Sequence, residues 1–358
     1  MKASEDVTKF SEITIGRAMQ ALVLENDLLS TTIMLDQGAG FRELIYKPKA
    51  TDILFRWPRP VHEPGVGPAP AADSTGMWVN YSWSAWETIF PNYGPPCEYK
   101  GALLDFHGEA GRLPWQVENV ENDGKCLRVT VCVDLVKSPF RIERIMSLEA
   151  GQPILSISET ITNLCPEEIE TMWGHHPTFG APFLSADCVI DTGAKTVEAD
   201  SDYDSPANDL PPGQSWTWPY AQDKFGNEVD LSRVPAAGSG CSRVLYLKDF
   251  EESWYAVSNP EMQLGAGLVW DGDLCPYACL WEEAGGTSGY PMYGQVYGLA
   301  IEPYTSYPGH GLARVMATTG TQLTFAPGQS RTLDMKLVLY EGTERVARID
   351  PAGNVQRR

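Results

Sequence analysis

The chain has 358 residues, with 27 Lys and Arg against 47 Asp and Glu, so its formal charge is 27 − 47 = −20. A surface this acidic repels phosphate backbones and anionic lipids, which argues against nucleic-acid and membrane-surface partners. The chain is rich in aromatic residues, with 11 Trp, 15 Tyr and 11 Phe, but it has only 5 His. No apolar run is long enough to predict a membrane-spanning helix, and the N-terminus does not resemble a secretory signal. We therefore expect a cytoplasmic protein.

Strands are predicted along almost the whole chain. Runs of apolar and β-branched residues, several with strict alternation, predict strands over residues 18–24, 30–35, 53–57, 129–135, 155–162, 244–247, 254–258, 264–270, 277–281, 299–301 and 333–339. The turn at 326–329 predicts a hairpin between the last of these runs and residues 321–325. No amphipathic helix longer than about three turns is predicted. With 33 Gly and 27 Pro, the pattern indicates an all-β fold, an antiparallel sandwich or barrel.

Two segments interrupt the strand pattern. The proline-rich segment 58–73 is expected to be a long surface loop, and residues 201–219 are also irregular. Neither is typical of a linker, because the composition does not change across it. We therefore expect a single domain over residues 1–358. The eight Cys are scattered, which predicts reduced thiols, and Cys275 and Cys279 lack the spacing of a redox or zinc motif.

Three short segments carry the candidate chemistry. His107 lies in a Gly- and aromatic-rich stretch at 105–115, and His175 and His176 lie in a second at 172–179. Glu302 ends an apolar run and is followed by a proline. A carboxylate and two imidazoles supply a general base and general acids near neutral pH.

The tryptophans suggest a substrate. Trp78, Trp83 and Trp86 lie within nine residues, and Trp281 precedes two glutamates. Flat apolar rings beside hydrogen-bonding groups suit a pyranose, whose C–H faces stack on rings while its hydroxyls form hydrogen bonds. The competing interpretation is that these rings fill the core of a large sandwich.

Three other functions remain open at this point. The first is carbohydrate binding without catalysis. The second is a hydrolase or lyase that pairs Glu302 with Glu87, Glu282 or Glu283. The third is a metal-dependent isomerase using His107, Glu109 and His176, although the His-x-His of cupin-like metal sites is missing. No nucleophile elbow, phosphate loop or dinucleotide fingerprint is present.

Taken together, the segments resemble the aldose 1-epimerase (galactose mutarotase-like) family over residues 13–342. The matching elements, in the family's order, are a first hairpin at 28–46, Ile-Phe-Pro-Asn-Tyr-Gly at 89–94, His107-Gly108 with Trp115, Thr-Ile-Thr-Asn-Leu at 160–164, His-Pro-Thr-Phe at 176–179 and Ile-Glu-Pro-Tyr-Thr at 301–305. The resemblance implies a β-supersandwich of antiparallel sheets. It also implies an enzyme that interconverts the anomers of a free sugar by opening the ring, with no cofactor and no metal.

The resemblance also implies roles for individual residues. Glu302 would take the proton of the anomeric hydroxyl, His176 would protonate the ring oxygen, and His107 would bind the sugar near that oxygen. His176 is preferred over His175 because it stands three residues before Phe179, as in the family pattern. We also expect five residues to bind substrate: Trp86, Asn92, Arg112, His175 and Trp281.

Two departures from the family pattern bear on the substrate. Pro95 stands where many relatives carry a sugar-binding Arg, and Arg112 comes one residue later than the Arg of the hexose-phosphate epimerase relatives. The negative charge of the chain also argues against a sugar phosphate. We therefore expect a divergent member that acts on a neutral monosaccharide or a derivative of one.

Overall fold

A computed structural model describes residues 7–58, 63, 73–82 and 84–358. Trp83 and nearly all of the proline-rich segment 58–73 lie outside the described residues. The strands are β1 (Lys9–Ile15), β2 (Met19–Glu25), β3 (Leu29–Met34), β4 (Gly40–Tyr46), β5 (Thr51–Asp52), β6 (Trp86–Ile89), β7 (Cys97–Tyr99), β8 (Ala102–Leu104), β9 (Gln116–Asn122), β10 (Cys126–Asp134), β11 (Phe140–Glu149), β12 (Ile154–Asn163), β13 (Ile169–Thr171), β14 (Gly174–Gly180), β15 (Val189–Thr192), β16 (Thr196–Ala199), β17 (Ser215–Thr217), β18 (Tyr220–Gln222), β19 (Glu228–Asp230), β20 (Cys241–Lys248), β21 (Trp254–Asn259), β22 (Leu264–Trp270), β23 (Tyr277–Ala284), β24 (Tyr297–Tyr304), β25 (Leu323–Phe325), β26 (Ser330–Glu341), β27 (Val346–Ile349) and β28 (Val355–Arg357). The helices are α1 (Ser74–Tyr81) and α2 (Leu312–Thr318).

Two large antiparallel sheets make up the fold, which confirms the all-β prediction. The first has twelve strands in the order β1-β2-β3-β4-β6-β14-β24-β23-β20-β16-β17, with β5 paired to β4. The second has eight, in the order β15-β21-β22-β26-β12-β11-β10-β9. Four two-stranded sheets complete it: β7-β8, β13-β25, β18-β19 and β27-β28. In the described part of the chain, neither helix is long and apolar enough to cross a membrane.

The predicted alternation is confirmed in the eight-stranded sheet. Residues 129, 131 and 133 of β10 are buried, and so are residues 333, 335, 337 and 339 of β26. On β12 the buried face contains Leu155, Ile157 and Ile161, with Glu159 as its one charged member. These faces pack against the twelve-stranded sheet, so the core lies between the two sheets.

Two strand predictions were wrong. The turn at 326–329 forms, but β25 pairs with β13 and not with β26. The reason is that β26 already has a partner on each edge, β12 on one and β22 on the other. Residues 53–57 also form no strand of their own: β5 ends at Asp52, and Leu54 makes only an isolated bridge to Phe179.

The eight cysteines all lie among the described residues and are all free thiols. Cys132, Cys188, Cys275 and Cys279 are buried, and the other four are partly buried. The prediction of scattered, reduced thiols therefore agrees with the structure.

A buried ion pair of the eight-stranded sheet forms hydrogen bonds to the twelve-stranded sheet. The Arg144 guanidinium on β11 donates from Nε to Glu159 Oε2 on β12 at 2.7 Å, and both side chains are at most 1% exposed. Arg144 also donates to the carbonyl of Ala39 at 2.7 Å and lies over the Trp115 ring, 4.6 Å from its centroid. Glu159 accepts from Thr88 Oγ1 on β6 of the other sheet at 2.8 Å. A charge buried this deeply is tolerated only when its hydrogen-bonding capacity is filled.

Glu159 has two further partners, both near or on β14. Trp173 Nε1 donates to Glu159 Oε1 at 2.9 Å, and His175 Nε2 lies 3.1 Å from the same oxygen. Trp86 Nε1 in turn donates to His175 Nδ1 at 3.3 Å, so His175 Nε2 carries the hydrogen that Glu159 accepts. Burial alone would raise the pKa of Glu159, but the neighbouring His175 and Arg144 hold it well below its usual value.

We expect Glu159→Gln to destabilise the protein strongly, because it leaves the Arg144 charge buried without its counter-ion. Losses of about 3–5 kcal/mol are typical when one partner of a buried pair is removed. The measurement is the urea midpoint at constant m-value. Glu252→Gln, which breaks the exposed ion pair with Arg348, is the control and should change the midpoint little. Equal midpoints for the two variants would contradict this role for the Glu159 network.

Candidate functional site

A cleft of about 420 Å³ opens on the twelve-stranded sheet. His175 points from β14 to Glu159 in the eight-stranded sheet, and successive residues of a strand face opposite sides. His176 therefore points away from the core. The side chains that line the cleft include Phe55, Trp57, Trp78, Glu87, Tyr93, Phe106, His107, His176, Asp200, Tyr246, Cys279, Trp281, Met292, Glu302 and His310.

The floor of the cleft is one row of residues that crosses neighbouring strands. Glu87 on β6 stands opposite His176 on β14, and Cys279 on β23 stands opposite Glu302 on β24. The register of β14 with β24, in which Gly174 is opposite Tyr304 and Thr178 opposite Ala300, brings His176 beside Glu302. Directly opposed residues of an antiparallel pair share a face. The register thus assembles the row, although its members are far apart in sequence.

His176 and Glu302 form a close pair. His176 Nε2 lies 3.5 Å from Glu302 Oε1, and the two side chains are 15% and 2% exposed. The other histidine nitrogen, Nδ1, lies 3.0 Å from Thr178 Oγ1 on the same strand. The other carboxyl oxygen, Glu302 Oε2, accepts from the Tyr304 hydroxyl at 2.9 Å. Both groups are therefore oriented by neighbours on their own strands.

Burial sets the protonation states of the pair. It raises the pKa of Glu302 to about 8, against a smaller opposing effect of the Tyr304 hydrogen bond. It lowers the pKa of His176 to about 4. In the free protein at neutral pH the pair therefore holds one proton, on the carboxyl group, with the imidazole neutral.

His107 completes the polar side of the cleft from a loop. Its backbone is left-handed, with φ of 58°, and a Cβ on the following Gly108 would lie 2.1 Å from the carbonyl oxygen of Phe90. Gly94 N donates to His107 Nδ1 at 3.2 Å, so the neutral ring carries its hydrogen on Nε2. Burial, with smaller effects of the neighbouring His176 and Arg112, lowers the pKa of His107 well below its usual value. His107 is therefore a neutral donor at the cleft.

Aromatic rings surround these groups. The Trp78 ring lies 5.0 Å from His107 and 5.9 Å from His176 between centroids, and Trp281 lies 6.4 Å from His176. Tyr93 stacks on Tyr304 at 3.7 Å. The rings thus provide flat apolar walls around the histidines.

Of the eight expected site residues, the structure brings four to the cleft: His107, His176, Trp281 and Glu302. The other four lie outside its lining. Trp86 and His175 belong to the Glu159 network between the sheets, because they alternate with the cleft-facing residues of their strands. Both side chains are buried in the core, and their expected roles in substrate binding stay predictions.

Asn92 and Arg112 hold loops around the cleft. Asn92 donates to the carbonyls of Pro95 and Asp105 at 2.9 Å each and accepts from Leu312 N, at the start of α2, at 2.8 Å. Arg112 donates to the carbonyls of Ser74 and Phe106 at 3.1 Å each. Both side chains are thus engaged with backbone.

Sequence reasoning did not assign roles to several residues of the cleft. Glu87 appeared only as a partner for Glu302 in a hydrolase, and every residue of β6 is buried, so no alternation marks its cleft-facing side. At the other end, His310 Nε2 lies 2.8 Å from Asp200 Oδ2, which also accepts from the Tyr246 hydroxyl. This second polar group is brought to the cleft by strand order, which the sequence pattern does not reveal.

The geometry also bears on the alternatives. The Glu109 carboxylate accepts from the backbone N–H groups of residues 136–138 at 2.9–3.1 Å, so it is not available beside His107 and His176. Within the described residues, no group of three or more His, Cys, Asp or Glu side chains could hold a metal ion. Glu282 is paired with Arg243, and Glu283 is bound by Ser242 and Thr287.

Comparison with known proteins places the chain in a family and a fold. Residues 16–339 match the family model described as "Domain of unknown function (DUF4432)". Curated proteins gave no match. Among solved structures, a protein provisionally named aldose 1-epimerase from Klebsiella pneumoniae subsp. pneumoniae has a TM-score of 0.72 at 18% identity, covering 94% of this chain and 85% of that one.

Two further structures agree. A galactose mutarotase-like protein from Clostridium acetobutylicum has a TM-score of 0.68 at 17% identity and covers 93% of this chain and 99% of that one. A galactose mutarotase-like protein from Lactobacillus casei has a TM-score of 0.59 at 16% identity and covers 89% and 100%. Similarity at this level of identity shows the fold alone. The chain therefore belongs to the DUF4432 family and has the galactose mutarotase-like fold that the sequence predicted.

Proposed function

We propose that this protein interconverts the anomers of a free, neutral aldose by opening and closing the sugar ring. The observation that carries the proposal is the His176–Glu302 pair, whose nitrogen and oxygen are 3.5 Å apart at the floor of the cleft. Anomerisation requires an acid and a base that act together on O1 and O5, and both oxygens are bonded to C1. One closely spaced pair can therefore reach both.

The proton balance of the pair suits this reaction. The pair holds one proton, so one member can accept the proton of the anomeric hydroxyl while the other protonates O5. As C1–O5 breaks, C1 becomes the aldehyde carbon. Rotation about C1–C2 presents the other face, and the reverse proton transfers close the ring. Glu302 acts as the base when the shared proton is on His176, and no proton is consumed over the cycle.

The remaining groups would bind the sugar. His107 Nε2–H donates to an oxygen of the sugar, and the Trp78 and Trp281 rings stack on its C–H faces. These contacts suit a neutral ligand, because apolar rings and the uncharged imidazoles of His107 and His176 surround this part of the cleft.

Carbohydrate binding without catalysis is the second candidate. The observation that favours it is the raised pKa of Glu302, because a protonated carboxyl serves as a hydrogen-bond donor to a sugar hydroxyl as readily as it serves as an acid. The two candidates differ in one measurable property, the rate of anomerisation.

We expect Glu302→Gln and His176→Asn each to slow anomerisation by at least about 10²-fold, because each removes one half of the acid–base pair. Saturation-transfer NMR on a panel of aldoses measures the exchange between anomers. Glu252→Gln, on the surface, is the matched control and should keep the full rate. If the wild type accelerates no sugar of the panel but binds one, the protein is a binding module. If it accelerates a sugar and both variants keep full activity, this pair is not the catalytic one.

The pH profile provides a separate check. The pair is active while it holds one proton, so kcat/KM should fall below about pH 4, where His176 gains a second proton, and above about pH 8, where Glu302 loses its own. After subtraction of the uncatalysed rate, a bell-shaped curve is expected. Activity that stays level from neutral pH through pH 9, as for a base with an ordinary carboxyl pKa, would contradict the assignment.

A further inference from the structure

Glu87 is a buried carboxyl at the cleft that the proposed mechanism does not use. It is 2% exposed and lines the cleft. Trp78 Nε1 donates to its Oε2 at 2.9 Å, and the Ser82 hydroxyl donates to its Oε1. Each carboxyl oxygen can accept a further hydrogen bond. Glu87 is therefore held in place by α1 and by the residue that follows α1. Its carboxyl oxygens can still accept hydrogen bonds from a ligand.

The position of Glu87 relative to the reacting pair is set by the sheet. His176 has Glu87 opposite it on one neighbouring strand and Glu302 beside it on the other. Neighbouring strands are about 4.8 Å apart, so the three groups form a row at that spacing. His176 is the middle member.

The row gives the direction in which the sugar lies. If Glu302 acts at O1 and His176 at O5, then the path from O1 through O5 continues along the row towards C5 and the group that C5 carries. That group comes next to Glu87. Building on the proposed function, we propose that Glu87 contacts the substituent on C5 of the sugar and selects an uncharged or cationic group there over a carboxylate or a phosphate.

The charges around Glu87 support this selection. From the strand on one side it faces His176, which is neutral at working pH, and from the loop after His107 it faces Arg112. The Arg112 side chain donates to two backbone carbonyls and does not line the cleft. Burial raises the pKa of Glu87 to about 7, so the carboxyl becomes anionic within the physiological range. An anionic substituent then meets a like charge in a poorly hydrated site.

The experiment compares three sugars that differ only at this substituent: D-glucose, D-glucuronate and 6-amino-6-deoxy-D-glucose, with the D-galactose series beside them. Saturation-transfer NMR gives the rate for each at pH 6 and pH 7.5. For the wild type, we expect the rate for the neutral sugar, divided by the rate for the anionic sugar, to rise up to about tenfold between these pH values. The rate for the cationic sugar, divided by the rate for the neutral sugar, should also rise. Glu87→Gln should remove most of this pH dependence.

The matched control is Glu198→Gln. Glu198 lies on the same face of the sheet, opposite Tyr246, but outside the cleft lining, so the variant removes the same charge without touching the site. It should leave the pH dependence of the ratio unchanged. If Glu87→Gln does not fold, the wild-type ratios are measured across the pH range: a rise with its midpoint near pH 7 supports the proposal, and a constant ratio or a rise centred near pH 8, the pKa of Glu302, overturns it.

Failure of the proposed function is a separate result. If no neutral sugar is anomerised faster, the same three sugars are tested for binding by ligand-observed NMR. Weaker binding of the uronate, relieved by Glu87→Gln, supports the selection by Glu87 without catalysis. Equal binding of all three sugars by wild type and Glu87→Gln overturns it.

Discussion

The buried contact between Arg144 and Glu159 is the constraint on which the rest of the site depends. Both residues belong to the eight-stranded sheet, and their charges are buried against the twelve-stranded sheet, where an unpaired charge would be costly. The pair is therefore stable only when neighbouring groups fill its remaining hydrogen-bonding capacity. Thr88 and His175 supply two of those contacts. They fix β6 and β14 against the second sheet, and the residues next to them in sequence are Glu87 and His176. The hydrogen bonds of the core thus determine how the side chains of Glu87 and His176 are presented to the cleft.

The two faces of β14 contribute to different parts of the protein, one to the core and the other to the cleft. His175 is enclosed by Trp86 and Glu159 in the core, and His176 meets Glu302 in the cleft. The same residue type is structural on one face and chemically available on the other. The difference arises from alternation alone, and a register shift of one residue would exchange them.

Much of the fold follows from the sequence, and the site follows only in part. Alternation in β10, β12 and β26 predicts an antiparallel sandwich because one face of each strand must be buried. His107, His176 and Glu302 stood out in three short segments of the sequence, and the resemblance to a known family implied their roles. Glu87 and the group of Asp200, Tyr246 and His310 were not, because they reach the cleft through strands that are neighbours in space and not in sequence.

The wrong hairpin prediction also arises from contacts between residues that are far apart in sequence. The predicted hairpin at 326–329 failed because β26 is paired on both edges, which a local turn signal does not show. Composition likewise does not distinguish the two faces of the mostly buried strands β6 and β14, so it does not show that Trp86 and His175 lie on the core side; their expected roles in substrate binding stay predictions. The single-domain organisation of residues 1–358 stays a prediction.

The formal charge of −20 counts Glu87 and Glu302 as anions, although burial keeps their protons on the carboxyl groups to about pH 7 and about pH 8. The acidity of the protein is therefore unevenly distributed. The exterior of the protein is strongly anionic, whereas the groups on the floor of the cleft near His176 carry little charge below pH 7. A neutral solute moves between these two regions without a change in its Coulomb energy. Protonation of two carboxyl groups thus leaves the floor of the cleft near His176 with little net charge inside a strongly anionic protein.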